Sequence, residues 1–479
     1  MITFSMPLGI MLQNGPEAVG HLWRGRRVAV VGLGRSGMAA TRLLRGAGAS
    51  VAVSEARAAA ALRAELEALR AWGIRDIELG GHTRRFVEQA DAVIASPGVP
   101  ESAGPLQWAA QRDIPVLSEI ELAYRFCPSP IVAVTGTNGK STAVTLIAAV
   151  LNAAGRRATA CGNLGVPFSS VVPSLTPDGV AVVEVSSFQL LGCEAFRPRI
   201  GVLLNIGTNH LDRHRDAAAY AAAKARLFQR QTAEDWAVLN GRDPRVIEIG
   251  GRIGSRQVWF ADNRANPPRL QLAPETLASL SESAQAVLQV GRLLGVPDPL
   301  AWQVIRSFRG LEHRLEPVAT IRGVHYVNDS KSTTPESLLH ALHQTRGEVV
   351  VILGGRDKGL DFHPLAEPLH ASRVKGVVLI GESRRRLRPL LNGSTVVREC
   401  PTLESAVEMA AHLASPGVTV LFSPACASFD MFRDYEQRGQ TFKAIVQSLA
   451  LGSRLKALGN GTGRQPAACS FEPAAERAR

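Results

Sequence analysis

The run Thr135-Gly136-Thr137-Asn138-Gly139-Lys140-Ser141-Thr142 combines the groups needed to hold a polyphosphate. Glycines let backbone N–H groups turn toward an anion, a lysine adds a point charge, and the hydroxyl that follows it reaches a Mg²⁺ ion. A strict Walker A sequence has glycine where this chain has Val134, so the loop is shorter than that of ordinary P-loop motors and switches. A second run, Gly32-Leu33-Gly34-Arg35-Ser36-Gly37, has the G-x-G-x-x-G spacing of a dinucleotide fingerprint, with Glu55 ending the next apolar run. Alone, that spacing says only that backbone approaches a ligand closely, and any nucleoside diphosphate satisfies it. Two nucleotide-like loops in consecutive parts of one chain call for two nucleotide ligands. A nicotinamide-dependent oxidoreductase rests on the second loop alone.

Carboxylate and imidazole groups follow further apolar runs. Glu184 stands in VAVVEV (180–185) ahead of Ser186-Ser187-Phe188-Gln189, and His210 and Asp212 follow IGVLLN (200–205). Carboxyl ends of parallel strands are where open α/β sheets bind ligands. Glu184 is therefore expected to complete a Mg²⁺ shell begun by Ser141 and phosphate oxygens, since Mg²⁺ takes few protein oxygens and keeps several waters. Lys224, in the Ala-rich AAAKARLF, reads from its neighbours as a surface lysine. Later in the chain come Gly310-Leu311-Glu312-His313-Arg314, Asn328-Asp329-Ser330-Lys331-Ser332-Thr333-Thr334, Leu353-Gly354-Gly355-Arg356-Asp357-Lys358-Gly359 and Ser423-Pro424-Ala425-Cys426-Ala427-Ser428-Phe429-Asp430. Lysines and hydroxyls grouped on such loops suit a small dicarboxylate, each carboxylate wanting charge-assisted donors. Ordinary turn chemistry draws on the same residue types.

These groups need a scaffold that brings strand ends together. Short β-branched runs alternate with Ala/Leu-rich helical stretches throughout, the pattern of parallel sheets with crossover helices. Strands are expected at 27–32, 50–55 and 92–96, then at 131–135, 180–185, 200–205 and 236–240, and then at 324–329, 348–353, 377–380 and 418–423. The expected organisation is three α/β domains at 20–128, 129–310 and 311–453, and a tail at 454–479 whose Gly, Ala, Arg and Pro content suits mobility.

A chain of 479 residues exceeds what one core usually serves, which agrees with three domains. Hydrophobic residues at 46% and charged residues at 20% describe a globular enzyme rather than a disordered segment. The net charge of +12 favours anionic partners, and nucleotides meet that need as well as nucleic acids. Nucleic-acid binding is not expected, because the basic residues are dispersed and no recognition motif accompanies them. Six cysteines lie far apart with no C-x-x-C pair, so neither zinc nor a disulfide framework is indicated. No run reaches the ~18 apolar residues of a membrane span, and no basic n-region opens the chain. A cytoplasmic monomer without membrane partners is expected.

Taken in order, GTNGKST, EVSSFQL, NHLDRH, GLEHR, NDSKSTT, LGGRDKG and SPACASFD closely resemble the Mur ligase family over about residues 25 to 450, and within it the members that add glutamate to UDP-N-acetylmuramoyl-L-alanine. The resemblance implies a three-domain α/β fold, with a Rossmann-like N-terminal domain, a P-loop ATPase-like central domain and a Rossmann-like C-terminal domain, and an ATP-dependent ligase of peptidoglycan precursor synthesis. It implies that Gly136, Thr137, Asn138, Gly139, Lys140, Ser141 and Thr142 hold the ATP phosphates, with Arg314 and Asp329 also on ATP. Ser141 and Glu184 would hold one Mg²⁺, and His210 a second, with Lys224 carbamylated. Gly34, Arg35, Ser36, Arg57, Ser96 and Gly98 would cradle the uridine diphosphate, and Asn163, Ser186, Gln189 and Arg213 would face the muramoyl substrate. Lys331, Thr333, Lys358, Ser428 and Phe429 would position glutamate. The catalytic set would be Lys140, Glu184, His210 and Lys224. Three positions depart from the family pattern. Leu280-Ser281-Glu282-Ser283 stands where an H-N-x-x-N segment is usual, His214 replaces an aromatic residue, and Thr334 replaces an asparagine.

Overall fold

A computed structural model describes residues 22–207, 215–261, 281–308, 310–357, 359–391 and 396–458. It contains three sheets, each built on apolar runs that lie buried on both faces. The first holds β1 (Arg27–Val31), β2 (Ser50–Glu55), β3 (Asp76–Leu79), β4 (Ala92–Ala95) and β5 (Val116–Ser118) in the order β3-β2-β1-β4-β5, all parallel. The second holds β6 (Ile131–Thr135), β7 (Ala158–Gly162), β8 (Val180–Glu184), β9 (Ile200–Leu203), β10 (Trp236–Asn240) and β11 (Arg256–Phe260) in the order β11-β10-β9-β6-β8-β7, again all parallel. In both, the strand followed by a glycine loop, β1 or β6, sits where the order reverses. That reversal opens a crevice at the carboxyl ends of the strands.

The third sheet holds β12 (Glu316–Ile321), β13 (Val324–Asn328), β14 (Val349–Gly354), β15 (Val374–Ile380), β16 (Val397–Glu399) and β17 (Thr419–Phe422) in the order β12-β13-β17-β14-β15-β16. Only β12 runs antiparallel to its neighbour, paired with β13 across the tight turn at Arg322 and Gly323. The fold is therefore the expected α/β architecture, with three parallel or mixed sheets.

The first two sheets belong to one compact unit, extending to Phe308, and the third to another, beginning at Arg309. Within the first unit one apolar core runs from Val28 and Val30 through Leu122 and Phe126 to Ala133, Phe168 and Val183. The helix Glu119–Phe126 is what couples the two sheets. Ser118 caps it by accepting from Glu121 N at 3.2 Å, and Glu121, itself fully buried, accepts from the backbone N–H groups of Glu194, Ala195 and Phe196 at 3.0–3.1 Å. Arg125 closes the arrangement on Glu121 at 2.9 Å. A buried carboxylate with a guanidinium and three backbone donors has its lone pairs met, which is the condition for keeping such a charge inside.

The helix Lys140–Ala153 buries Ala143, Val144, Leu146, Ile147, Val150 and Leu151 and stops before Gly155, which takes φ +76. It packs against the helix Glu282–Leu293, capped by Ser281, whose hydroxyl accepts from Ala284 N at 3.3 Å. No described helix is long and apolar enough to cross a membrane.

Candidate active site

The glycine–lysine loop lies between the end of β6 and the helix Lys140–Ala153, at the reversal point of the second sheet. Gly136 takes φ +154 and Gly139 φ +80, conformations open to glycine and strained for residues with a Cβ. Asn205, just past β9, fixes the outer part of the loop, its side-chain carbonyl accepting from Thr137 N at 3.0 Å and Asn138 N at 2.9 Å. The Thr137 hydroxyl accepts from Gly207 N at 2.7 Å and lies 3.2 Å from the Tyr220 hydroxyl. Lys140 Nζ folds back over the loop, donating to the carbonyls of Gly136 at 2.9 Å and Thr137 at 2.8 Å. Ser141 is buried at the start of the helix, whose N-terminal amides and dipole favour an anion.

Lys224 is not a surface lysine. Only 1% exposed, it donates to Gly136 O at 2.8 Å and sits 4.5 Å from the centre of the Tyr220 ring. Burial holds its amine well below the usual lysine range, the Lys140 ammonium pushes the same way, and Glu184 opposes both. The Ala-rich sequence around it conceals this because alanines on all sides carry no amphipathic stripe.

Glu184, at the end of β8, is 2% exposed. Its Oε1 accepts from Asn163 Nδ2 at 2.9 Å, while the buried Oε2 has no hydrogen-bond partner among the described residues. A carboxylate oxygen in that condition fits a cation, and the buried Ser141 hydroxyl, at the start of the helix after the phosphate loop, suits the role of a companion ligand. Among the described residues no three His, Cys, Asp or Glu side chains gather as a metal cluster. His210 and Arg213 lie outside the described residues. Asn163 also donates its backbone N–H to Glu184 O at 2.9 Å, and Gly162 before it has no room for a Cβ, which would lie 2.3 Å from that same oxygen.

From Asn163 a cavity of about 500 Å³ extends to the first sheet. It brings together Gly34, Arg35, Ser36, Ser96, Gly98, Asn163 and Gln189, all singled out in the sequence. Gly37 is needed where the loop after β1 turns into its helix, because a Cβ there would sit 1.9 Å from Gly32 O. Ser96 Oγ donates to the same carbonyl at 2.7 Å and so joins the ends of β1 and β4. Arg57 stands just outside the lining, donating to Leu33 O at 3.1 Å and to Glu55 at 3.1 Å. Ser186 and Gln189 form a reciprocal capping box at the helix Ser187–Leu191, so Ser186 supports Gln189 from behind. Glu55 and His82 also line the cavity. The Gly80-Gly81-His82 turn after β3 was a legible signal for the latter, missed because β3 itself was missed.

In the second unit, the carboxyl ends of β13, β14 and β17 converge. Asp329 Oδ2 accepts from Ser423 Oγ at 2.7 Å and Oδ1 from Leu315 N at 3.1 Å. Burial pushes its carboxyl up to about 6 against those two bonds and the nearby Arg314. Arg438, 1% exposed, ties the loops from below, donating to Ser330 Oγ at 3.0 Å, Ser330 O at 2.7 Å and Cys426 O at 3.0 Å. His313, Leu315 and Ala425 all have positive φ here, the kind of strain that gathers at ligand sites. Lys331 places its Nζ 5.6 Å from the Tyr435 ring centre, Ser428 is buried, Thr333 is half-buried, and Phe429 is 62% exposed. Lys358 lies outside the described residues.

Three family models divide the chain: Mur ligase MurD-like N-terminal domain at residues 26–118, Mur ligase middle domain at 134–290, and Mur ligase glutamate ligase domain at 313–426. The chain is 43% identical to UDP-N-acetylmuramoylalanine–D-glutamate ligase of Anaeromyxobacter dehalogenans, covering 89% of this chain and 98% of that protein. The chain belongs to the Mur ligase family. The enzyme of the same description from Geobacter metallireducens is 41% identical over 90% of this chain and 99% of that one. Among solved structures, UDP-N-acetylmuramate–alanine ligase of Thermotoga maritima matches with a TM-score of 0.55 at 17% identity, covering 88% of this chain and all of that one. The MurF ligase of the same organism matches at 0.54 and 16%, covering 90% and 97%. At that identity these two speak for the shared fold.

Membership of the Mur ligases implies ATP use, and it gives the segment at Ser281–Ser283 its context. Neither asparagine of the usual motif is present, yet the segment still borders the phosphate loop, with Ser283 Oγ donating to Gly139 O at 3.4 Å.

Proposed function

We propose that this chain joins D-glutamate to the terminal carboxylate of UDP-N-acetylmuramoyl-L-alanine, converting ATP to ADP and phosphate, in the cytoplasmic stage of peptidoglycan precursor synthesis. Membership of the Mur ligases and about 40% identity to D-glutamate-adding enzymes over nearly the whole chain support this reading. The observation that carries it is the continuous path from the cavity at Gly34 and Ser96 to Asn163, and through the Asn163 amide to Glu184 beside the phosphate loop. A nucleotide diphosphate held at the first sheet would thereby direct its far end at the γ-phosphate held at the second. An oxidoreductase has no use for the phosphate loop at Gly136–Ser141.

In the proposed reaction a carboxylate oxygen of the substrate bonds to the γ-phosphorus and the bond to the ADP oxygen breaks, giving an acyl phosphate. The glutamate amine, having lost one proton, then bonds to the acyl carbon and phosphate departs. Charge spreads over the transferring oxygens throughout, so positioning and electrostatics are the available levers. Lys140 would move from the Gly136 and Thr137 carbonyls onto phosphate oxygens, and the first-turn amides after Gly139 would receive the same anion. Gly34, Arg35, Ser36, Arg57, Ser96 and Gly98 would hold the uridine diphosphate, and Asn163, Ser186, Gln189 and Arg213 the sugar–alanine arm.

Ser141 and Glu184 would hold one Mg²⁺, and His210 with carbamylated Lys224 a second; when bound, the ions offset charge on the phosphate oxygens. In the second unit Arg314 and Asp329 would contact ATP, and Lys331, Thr333, Lys358, Ser428 and Phe429 the glutamate carboxylates. The proposed domain limits are those read from the sequence, 20–128, 129–310 and 311–453, in a monomer. A matrix assay of ADP release tests the reading. Release should require both the muramoyl nucleotide and D-glutamate, and release without either, or with L-glutamate in its place, would overturn it.

A further inference from the structure

The cavity wall carries one imidazole, that of His82 at the carboxyl end of β3. Behind it, at the end of β2, Ser54 is fully buried. Its hydroxyl donates to Glu78 Oε2 at 2.7 Å and lies 2.6 Å from His82 Nδ1. Glu78 is tied down further by Thr83, whose backbone N–H reaches both carboxylate oxygens at 3.0–3.1 Å and whose hydroxyl reaches Oε1 at 2.5 Å. Burial raises the Glu78 carboxyl, but these bonds from Thr83 and Ser54 outweigh it and hold the group below its usual range.

A carboxylate only accepts, and a hydroxyl has one proton to give. The Ser54 proton is therefore committed to Glu78, and a lone pair of Ser54 faces the ring. The proton shared between Ser54 and His82 must be carried by Nδ1. In the neutral ring this leaves Nε2 with its lone pair, on the part of the ring turned away from Ser54, and the residue lines the cavity. Glu55, at the end of β2, occupies the position that takes a ribose hydroxyl in dinucleotide-binding sheets. Here it is engaged otherwise. Its Oε2 accepts from Leu33 N at 2.6 Å and Arg57 Nη2 at 3.1 Å, and its Oε1 from Arg57 N at 3.0 Å, so it braces the glycine loop.

We infer that His82 is a specificity-determining residue whose Nε2 accepts a hydrogen bond from the nucleoside half of the cavity's ligand, from uracil N3–H or from a ribose hydroxyl, with Ser54 and Glu78 setting the tautomer. The inference rests on reading the cavity as a uridine-nucleotide site.

The test is calorimetric titration of the full chain with UDP, 3-methyl-UDP, 2′-deoxy-UDP and 3′-deoxy-UDP, on the parent and on His82→Asn. Asparagine keeps a donor toward Ser54 and removes the acceptor at Nε2. The UDP Kd should rise roughly three- to tenfold in the variant, the scale of one hydrogen bond. The KM for ATP and the thermal midpoint should hold. The modification that deletes the donor should weaken binding to the parent and cost nothing further in the variant, the coupling a direct contact requires. That coupling, seen for 3-methyl-UDP, assigns the base, and seen for a deoxy analogue, the ribose. A variant that binds UDP like the parent, or a parent that binds all three analogues as tightly as UDP, overturns the role of His82 while leaving the cavity assignment standing. A parent that does not bind UDP overturns both.

Discussion

Lys140 and Lys224 donate to the same acceptor, the main-chain carbonyl oxygen of Gly136, at 2.9 and 2.8 Å. Two amines from different helices, one of them fully buried, converge on one oxygen at the foot of the phosphate loop. Two ammonium charges so placed repel. Addition of CO₂ to the Lys224 amine would replace that repulsion with attraction, and burial, which lowers the affinity of this amine for protons, favours the neutral form such a reaction requires.

The first prediction is that Lys224→Met lowers turnover on the order of 10²–10³-fold, as removal of a buried electrostatic group at a reacting centre does, while leaving thermal stability equal or higher. The sign of the stability effect follows from burial. A lysine whose amine is depressed in the fold costs stability as pH falls below its unfolded value, and methionine has no proton to bind. Lys224→Ala should recover part of its activity with added short carboxylates. Parent-like turnover in either variant would remove Lys224 from the reaction.

Gly139→Ala tests the loop geometry without touching a charge. Alanine at φ +80 costs about 1–2 kcal/mol, and its Cβ would lie 2.3 Å from Ser283 Oγ. The KM for ATP should rise about tenfold or more, with UDP binding unchanged. Adding Ser283→Ala should restore only the part due to the contact, since the backbone strain stays. Full recovery in the double variant would show that the left-handed conformation contributes nothing.

The legibility of this fold in its sequence follows sheet position. Every strand read in advance is flanked by strands on both sides, and those such as IVAVT at 131–135 or VVVIL within 348–353 are buried on both faces, which makes them continuous apolar runs. The strands that went unread are β3, β5, β7, β11, β12 and β16, the two edges of each sheet. DIEL at β3 and VRE at β16 are partly exposed and charged, as edges that must resist further pairing are. The site divides in the same way. Gly34 was legible because close backbone approach demands glycine and Glu184 because it ends an apolar strand, whereas Ser96 and Asn163 entered only through the family resemblance. His82 was hidden behind the unread β3. The burial of Lys224 has no local signal, since it is created by Tyr220 and the phosphate loop folding over an alanine helix.

Glu184→Gln separates the metal role of this side chain from its structural one. The amide oxygen can keep the bond from Asn163, but an N–H₂ replaces the buried Oε2 that lacks a partner among the described residues. A site short of one carboxylate binds Mg²⁺ less tightly, so the Mg²⁺ concentration for half-maximal activity should rise at least tenfold, the scale on which ligand-shell changes act. The thermal midpoint without Mg²⁺ should stay the same or increase, because a buried charge with one oxygen lacking a hydrogen-bond partner among the described residues has been removed. An unchanged Mg²⁺ requirement would assign Glu184 to holding Asn163 alone.

The last prediction concerns pH and the junction of the first two sheets. Glu119, at the head of the coupling helix, is 1% exposed and accepts from Ser169 N at 2.5 Å. Burial pushes its carboxyl up to about 7 against that bond. In the unfolded chain a glutamate releases its proton near ~4.3. Between those two values the fold holds a proton that the unfolded chain has given up, so stability falls as pH rises through the window and the loss is complete above about 7. The full shift corresponds to about 4 kcal/mol. Glu119→Gln can keep the acceptor for Ser169 N and has nothing to ionise. It should therefore match the parent in denaturant unfolding near pH 4.5 and exceed it near pH 8, by an amount approaching that figure. A difference that is constant across the range would mean that Glu119 is already ionised in the fold, and that the helix joining the two sheets carries a buried charge that Ser169 alone sustains.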